Sequence, residues 1–156
     1  MPTVLVTCND ENGETNIITV AWHTTISKSP PLYGISVAPK RYSTNLIKKT
    51  KEFVVNFVCY DLVDKVHFCG THSGSKTDKV KKTKLTLMPS KNVKVPMIEE
   101  GYAHLECKLK ESLILGDHTL FIGEVVAVQV DENVFKNDLL QIDMICLLYT
   151  SPSPRD

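Results

Sequence analysis

The stretch from Asn16 to Ser43, NIITVAWHTTISKSPPLYGISVAPKRYS, constrains the fold more than any other part of the chain. Asn16 to Trp22 is rich in β-branched residues and alternates imperfectly between apolar and polar, which predicts a strand. Leu32 to Ala38 predicts a second. Between them Thr24, Thr25, Ser27, Lys28 and Ser29 predict a polar loop, stopped by Pro30 and Pro31, which have no N–H to give a ladder. A hydroxyl-rich loop beside the only indole, ahead of Lys40-Arg41-Tyr42-Ser43, suits a flat, phosphorylated ligand. A solvated hairpin loop has the same composition, so both readings stand at this point.

The rest of the chain supplies more strands. Thr3 to Cys8 predicts a short strand, followed by a turn at Asn9-Asp10-Glu11-Asn12-Gly13 whose Asn-Gly is its strongest signal. After Pro39 a helix is expected near Thr44 to Lys51, with Ser43 or Thr44 as its N-cap. Glu52 to Val58 is apolar on both faces and predicts a buried strand. Asp61 is expected to cap a helix from Leu62 to about Cys69. Gly70 to Lys84 is polar, and Pro89 to Pro96 reads as an irregular connection.

Ala103 to Leu109 alternates cleanly. Leu105, Cys107 and Leu109 are expected inside, and Glu106, Lys108 and Lys110 on an outward polar face. Gly116-Asp117 turns the chain into Thr119 to Val130, apolar on both faces, one of which a second subunit could cover. Strands at irregular spacing, two or three short helices and no repeat predict a mainly β protein, a single antiparallel barrel with peripheral helices.

Length and charge narrow the classes. A chain of 156 residues is expected to form one domain, 1–146. Lys plus Arg equals Asp plus Glu, so no global field favours nucleic acid or membrane. No apolar run approaches the ~20 residues of a membrane span, and no signal-peptide pattern opens the chain. Five cysteines, odd in number and irregularly spaced, point to a reduced, cytoplasmic protein. Residues 147–156 break the style of the chain and read as translated adapter or vector sequence, with the native C-terminus missing; they are set aside.

Two motifs weaken on inspection. Gly70 to Thr77 nearly matches a phosphate-binding Walker loop, but Ser75 stands where glycine is needed before Lys76, and a helix-like segment precedes it instead of a strand. His67, Cys69 and His72 have no second ligand pair at a zinc-like spacing, so no metal is expected. His118, beside a turn glycine at the mouth of a strand, can present its ring to a ligand, although a surface histidine fits the position equally.

Taken in order, the blocks resemble the flavin reductase-like family, especially its flavoredoxin branch. They are N-x-x-T-V-A-W at Asn16 to Trp22, S-x-S-P-P at Ser27 to Pro31, I-S-V-x-x-x-R-Y-S at Ile35 to Ser43 and E-F-V-V-N at Glu52 to Asn56. C-G-x-x-S-G-x-x-x-D-K at Cys69 to Lys79, L-E-C at Leu105 to Cys107 and G-D-H-T-L-F-I-G-E-V at Gly116 to Val125 complete them.

The resemblance implies a split β-barrel of the FMN-binding type, usually a homodimer with flavin near the subunit interface. It implies NADH or NADPH as co-substrate and an electron acceptor that could be a partner protein. It places flavin contacts at Asn16, Trp22, Ser43, Lys79 and His118. Ser43 and Lys79 suit the phosphate, with Arg41 as a second cation, and Tyr42 and Ser73 stand beside them. Trp22 suits the ring edge or ribityl chain, and Asn16 the polar pyrimidine edge. The backbone at Thr19, Val20 and Ala21 would approach the ring. His118 takes the catalytic position, bonding the flavin or orienting a nicotinamide.

Two functions share such a pocket: an NAD(P)H-dependent flavin oxidoreductase, and a non-enzymatic FMN carrier reduced by a partner. A barrel without flavin is the third reading. One departure stands out. The family carries an aromatic residue near the C-terminus against the flavin, a region held here by the 147–156 segment, with Tyr149 the only aromatic there.

Overall fold

The computed structural model describes residues 2–137 and 139–141; the 147–156 segment, Cys146 and Tyr149 lie outside them. Along the chain run β1 (Val4–Asn9), β2 (Thr15–Val20), β3 (His23–Ser27), β4 (Leu32–Val37), α1 (Tyr42–Thr50) and β5 (Glu52–Phe57). Then come α2 (Val63–Thr71), α3 (Lys79–Thr83), β6 (Leu87–Met88), β7 (Met97–Ile98), β8 (Ala103–Leu115), β9 (His118–Val130), β10 (Phe135–Lys136) and β11 (Leu139–Leu140). Seven strands form one antiparallel sheet in the order β2-β1-β5-β8-β9-β4-β3. Between β2 and β3 the Ser36 N–H donates to the Trp22 carbonyl (2.8 Å), bringing β4 back beside that junction and curling the sheet. The result is the antiparallel barrel that the strand pattern predicted, of the split kind that the resemblance implies.

Side-chain alternation explains why so many strands are apolar on both faces. Val4, Val6 and Cys8 point into the barrel with Ile18, Val20, Ile35, Phe53, Val55 and Phe121, and Leu46 and Ile47 of α1 close this core. The intervening Leu5 packs outward with Ile17 against Leu62, Val66 and Cys69. Gly123 has a packing reason: any Cβ there would run into Phe53 and Cys107.

The hairpin turns stand where the sequence put them. Asp10 Oδ1 accepts from the N–H groups of Asn12 and Glu14, and Gly13 sits at φ 84°. Gly116 sits at φ 60° between β8 and β9.

Several local expectations are corrected. The segment from Thr24 to Ser27 is strand β3, paired to β4 through Thr24↔Gly34 and Thr25↔Tyr33. It is an edge strand whose threonines face solvent, so β-branching carries it without an apolar stripe. Neither Ser43 nor Thr44 caps α1. Arg41 holds that position without a side-chain bond, while Thr44 donates to the Ala38 carbonyl (3.0 Å). Asp61 lies inside a 3₁₀ turn, Tyr60–Leu62, that leads into α2, and so does not cap that helix. The polar stretch after Gly70 contains α3, capped by Asp78, whose Oδ1 accepts from the Lys81 N–H (3.0 Å). Glu106 does not face outward: it is fully buried beneath the connection 89–96.

Two buried histidines tie the fold to pH. His23 donates from Nε2 to the Pro2 carbonyl (2.8 Å), because a carbonyl can only accept, and its Nδ1 therefore accepts from the Tyr33 hydroxyl (2.7 Å). His104 Nδ1 donates to Asn56 Oδ1 (2.9 Å). Burial lowers the pKa of both from 6.5, outweighing the hydrogen bonds that favour their charged forms. The unfolded chain then binds more protons below 6.5, so stability is full above that value and falls with pH beneath it. The urea midpoint should be lower at about pH 5.5 than at about pH 7.5, and His104→Gln should shrink the difference. Equal midpoints would refute it.

No helix among the described residues is long and apolar enough to cross a membrane.

Candidate functional site

Two adjoining chambers run along the end of β2. The first, about 190 Å³, is lined by Asn16, Ile18, Lys40, Arg41, Tyr42, Ser43, Cys69, Gly70, His72, Ser73, Gly74 and Lys79. The second, about 160 Å³, is lined by Ile18, Thr19, Val20, Ala21, Trp22, Ser36, Val37, Ala38, Arg41 and His118. Ile18 and Arg41 belong to both, so the chambers form one groove. Each alone falls short of the ~300 Å³ of a small-molecule pocket, and only the two together reach that size.

The first chamber is lined by three cationic side chains, Lys40, Arg41 and Lys79. Lys79, on α3, reaches back into the protein and is 4% exposed. Its Nζ donates to the carbonyls of Ile17 and Cys69, both at 2.8 Å, which leaves one N–H uncommitted. Desolvation lowers the pKa of Lys79, the nearby Arg41 charge adding to the effect. Ser43, in the first turn of α1, accepts from Asn16 Nδ2 (2.7 Å), and its hydroxyl also meets the buried Cys8 thiol. The N-terminus of that nine-residue helix carries the positive end of its dipole, with the Thr44 N–H already donating to the Arg41 carbonyl (3.0 Å). Gly74 packs so tightly on the Asn16 side chain that a Cβ there would overlap it. No carboxylate lines this chamber among the described residues.

The second chamber mixes apolar residues, Trp22 among them, with Thr19, Ser36, Arg41 and His118. Trp22 and His118 meet with ring centroids 4.6 Å apart and planes tilted by 41°. His118 Nδ1 donates to Asp117 Oδ1 (2.7 Å), which fixes the ring and leaves Nε2 as its other polar atom. That hydrogen bond, with the His118 charge adding to it, lowers the Asp117 pKa. Thr19 spends its hydroxyl on the Val66 carbonyl (2.6 Å), tying the chamber wall to α2.

The structure thus brings Trp22, His118, Thr19, Val20 and Ala21 to one end and Ser43, Ser73, Lys79 and Tyr42 to the other, with Arg41 between. Asn16 lies with Ser43, away from the Trp22 end. Lys40, which the sequence offered beside Arg41, lines the first chamber; sequence reasoning missed Ser36, Gly74 and the place of His72 on the groove. The hairpin between β8 and β9 adds an exposed apolar tip: Ile114 is 72% and Leu115 58% exposed, and Trp22 57%. Along β8 only Ala103 to Lys108 pair with β5, so the outer edge beyond carries no strand among the described residues. Among the described residues no group of three or more His, Cys, Asp or Glu could hold a metal ion.

A split barrel with a cation-lined chamber leading to a Trp–His chamber defines a class, and comparison with known proteins places the chain within it. Residues 1–150 match the flavin reductase like domain, and the chain belongs to that family. It is similar to the flavoredoxin of Desulfovibrio vulgaris (Miyazaki F), with 28% identity, a TM-score of 0.90 and coverage of 99% of this chain and 84% of that one. An FMN-binding protein from Thermus thermophilus with bound 1-cyclohex-2-enone is 34% identical, with a TM-score of 0.79 and coverage of 86% and 73%. An NADH-dependent flavin reductase of Rhodococcus sp is 26% identical over 126 residues, 80% of this chain and 66% of that protein. The chain spans 64% of the length of an Archaeoglobus fulgidus relative, 44% identical over 113 residues and 72% of this chain.

Proposed function

We propose that the groove holds FMN, that the protein takes electrons from NADH or NADPH, and that it passes them to an acceptor. The observation that carries this is the polarity of one continuous groove. A cation-rich end is offered to a phosphate, and a Trp–His end to a planar ring. Lys79, Ser43, Arg41 and the α1 amides would hold the phosphate, and Asn16 and Ser73 stand beside it. Trp22 and the β2 backbone would meet the ring, and His118 Nε2 would bond it or orient a nicotinamide. The donor set fits FMN: cations and hydroxyls line the first chamber, and among the described residues the nearest carboxylates, Asp10, Glu14 and Asp78, line the neighbouring pocket beyond Lys79.

Bound flavin supplies the redox chemistry, accepting a hydride and releasing electrons, while the chain contributes position and electrostatics. The names of the Thermus and Rhodococcus relatives support the FMN and NADH parts of this reading. A homodimer would cover the open edge of β8 with Ile114 and Leu115, beside Trp22. A reducing, cytoplasmic setting agrees with Cys8, Cys69 and Cys107, none of which is in a disulfide.

The second reading is a carrier that a partner protein reduces. Steady-state oxidation of NADH and NADPH by the FMN-loaded protein separates the two. Turnover is expected, and its absence with both nucleotides leaves only the carrier. In the same preparation His118→Ala should slow reduction more than it weakens FMN binding. Sedimentation should return a dimer; a monomer at micromolar concentration would remove that part of the proposal.

A further inference from the structure

We propose that His72 is a further cofactor-binding residue that takes up a proton as a phosphomonoester dianion enters the first chamber; the proposal rests on the FMN reading above. His72 is the residue at which α2 stops, its backbone N–H donating to the Phe68 carbonyl (3.1 Å). Its ring lies flat on Phe68, with centroids 3.9 Å apart and planes at 16°. Nδ1 is 3.1 Å from the same Phe68 carbonyl and 3.1 Å from Thr71 Oγ1. A carbonyl only accepts, so Nδ1 carries the hydrogen and the ring is fixed on two sides. Nε2 is its remaining polar atom, on a residue that lines the chamber.

A neutral imidazole in that tautomer offers the chamber only a lone pair, which a phosphate oxygen does not approach. One proton turns the same nitrogen into a charged donor. The other titratable groups in the chamber are Lys40, Arg41 and Tyr42 at the start of α1, Lys79 from α3, and Cys69 on α2. Burial pushes the Cys69 thiol up to about 11, so it stays neutral. With two of the Lys79 donors spent on carbonyls, a dianion still has acceptor capacity for a cation at the chamber rim. The proton comes from solvent, and no covalent bond to the ligand forms.

The test is titration calorimetry with FMN, and with riboflavin as the probe lacking phosphate, in buffers of differing ionisation enthalpy. At about pH 7.5 a phosphomonoester is already dianionic, so FMN itself contributes almost no proton. Uptake is expected with FMN and not with riboflavin. His72→Gln should abolish the uptake and weaken FMN about tenfold while leaving riboflavin unchanged. Uptake that persists in His72→Gln overturns the proposal and moves the proton to Lys79. Binding of both flavins without uptake overturns it and leaves the FMN reading intact. No binding of either flavin overturns the FMN reading itself.

Discussion

Glu106→Ala should destabilise the fold by roughly 3–5 kcal/mol, the largest single-residue loss expected away from the apolar core. The carboxylate is fully buried, and each oxygen is engaged. Oε1 accepts from the Lys91 N–H (2.8 Å) and from Gln129 Nε2 (2.7 Å), and Oε2 accepts from the Asn92 N–H (2.7 Å). These charge-assisted bonds hold the 89–96 connection against the barrel. The Lys94 N–H adds to them by donating to Glu52 Oε2 (2.8 Å), and Thr7 Oγ1 by donating to the Pro96 carbonyl (2.7 Å). Truncation leaves three donors facing a small cavity and frees the segment whose Val93 and Val95 pack with Val54 and Met97. Glu106→Gln keeps one acceptor but turns an NH₂ against a donor, so its cost should be smaller, about 1–3 kcal/mol. Urea unfolding measures both. A loss below about 1 kcal/mol for the alanine variant would show that the connection is held by its apolar contacts instead.

The same glutamate shows where sequence reading stopped. The alternation from Ala103 to Leu109 correctly located a strand. Polarity alone then sent Glu106 to solvent, because no local signal says that a distant irregular segment will lie over that face with its N–H groups unspent. The turns at Gly13 and Gly116 and the doubly buried strands were legible, since backbone conformation and side-chain period are local properties. Strand β3 was not, because an edge strand of threonines needs no apolar face. Helix α3 was hidden in a lysine run, where composition suggests a solvated charge cluster. Of the groove, the chain blocks that resemble the family carried Trp22, Ser43, Lys79 and His118. They did not carry the burial of Lys79, the pairing of Asn16 with Ser43 or the role of His72 in the lining. Those depend on how α2 and α3 pack against β2, which no spacing along the chain records.

Lys79→Met should weaken FMN binding by at least tenfold, about 1.4 kcal/mol, while leaving riboflavin binding nearly unchanged. The ammonium is the most buried cation of the groove and keeps one donor beyond its bonds to Ile17 and Cys69. In so little water a charge-assisted bond to phosphate contributes more than it would at the rim, where Lys40 stands. Methionine keeps the length of the side chain and removes the cost of burying a charge, but leaves two carbonyls without their donor. These opposed terms should hold the stability change well below the loss in FMN affinity. The comparison between the two flavins isolates the phosphate. Equal losses for FMN and riboflavin would mean that Lys79 acts only as a brace between β2 and α2, and an unchanged FMN dissociation constant would remove it from the site altogether.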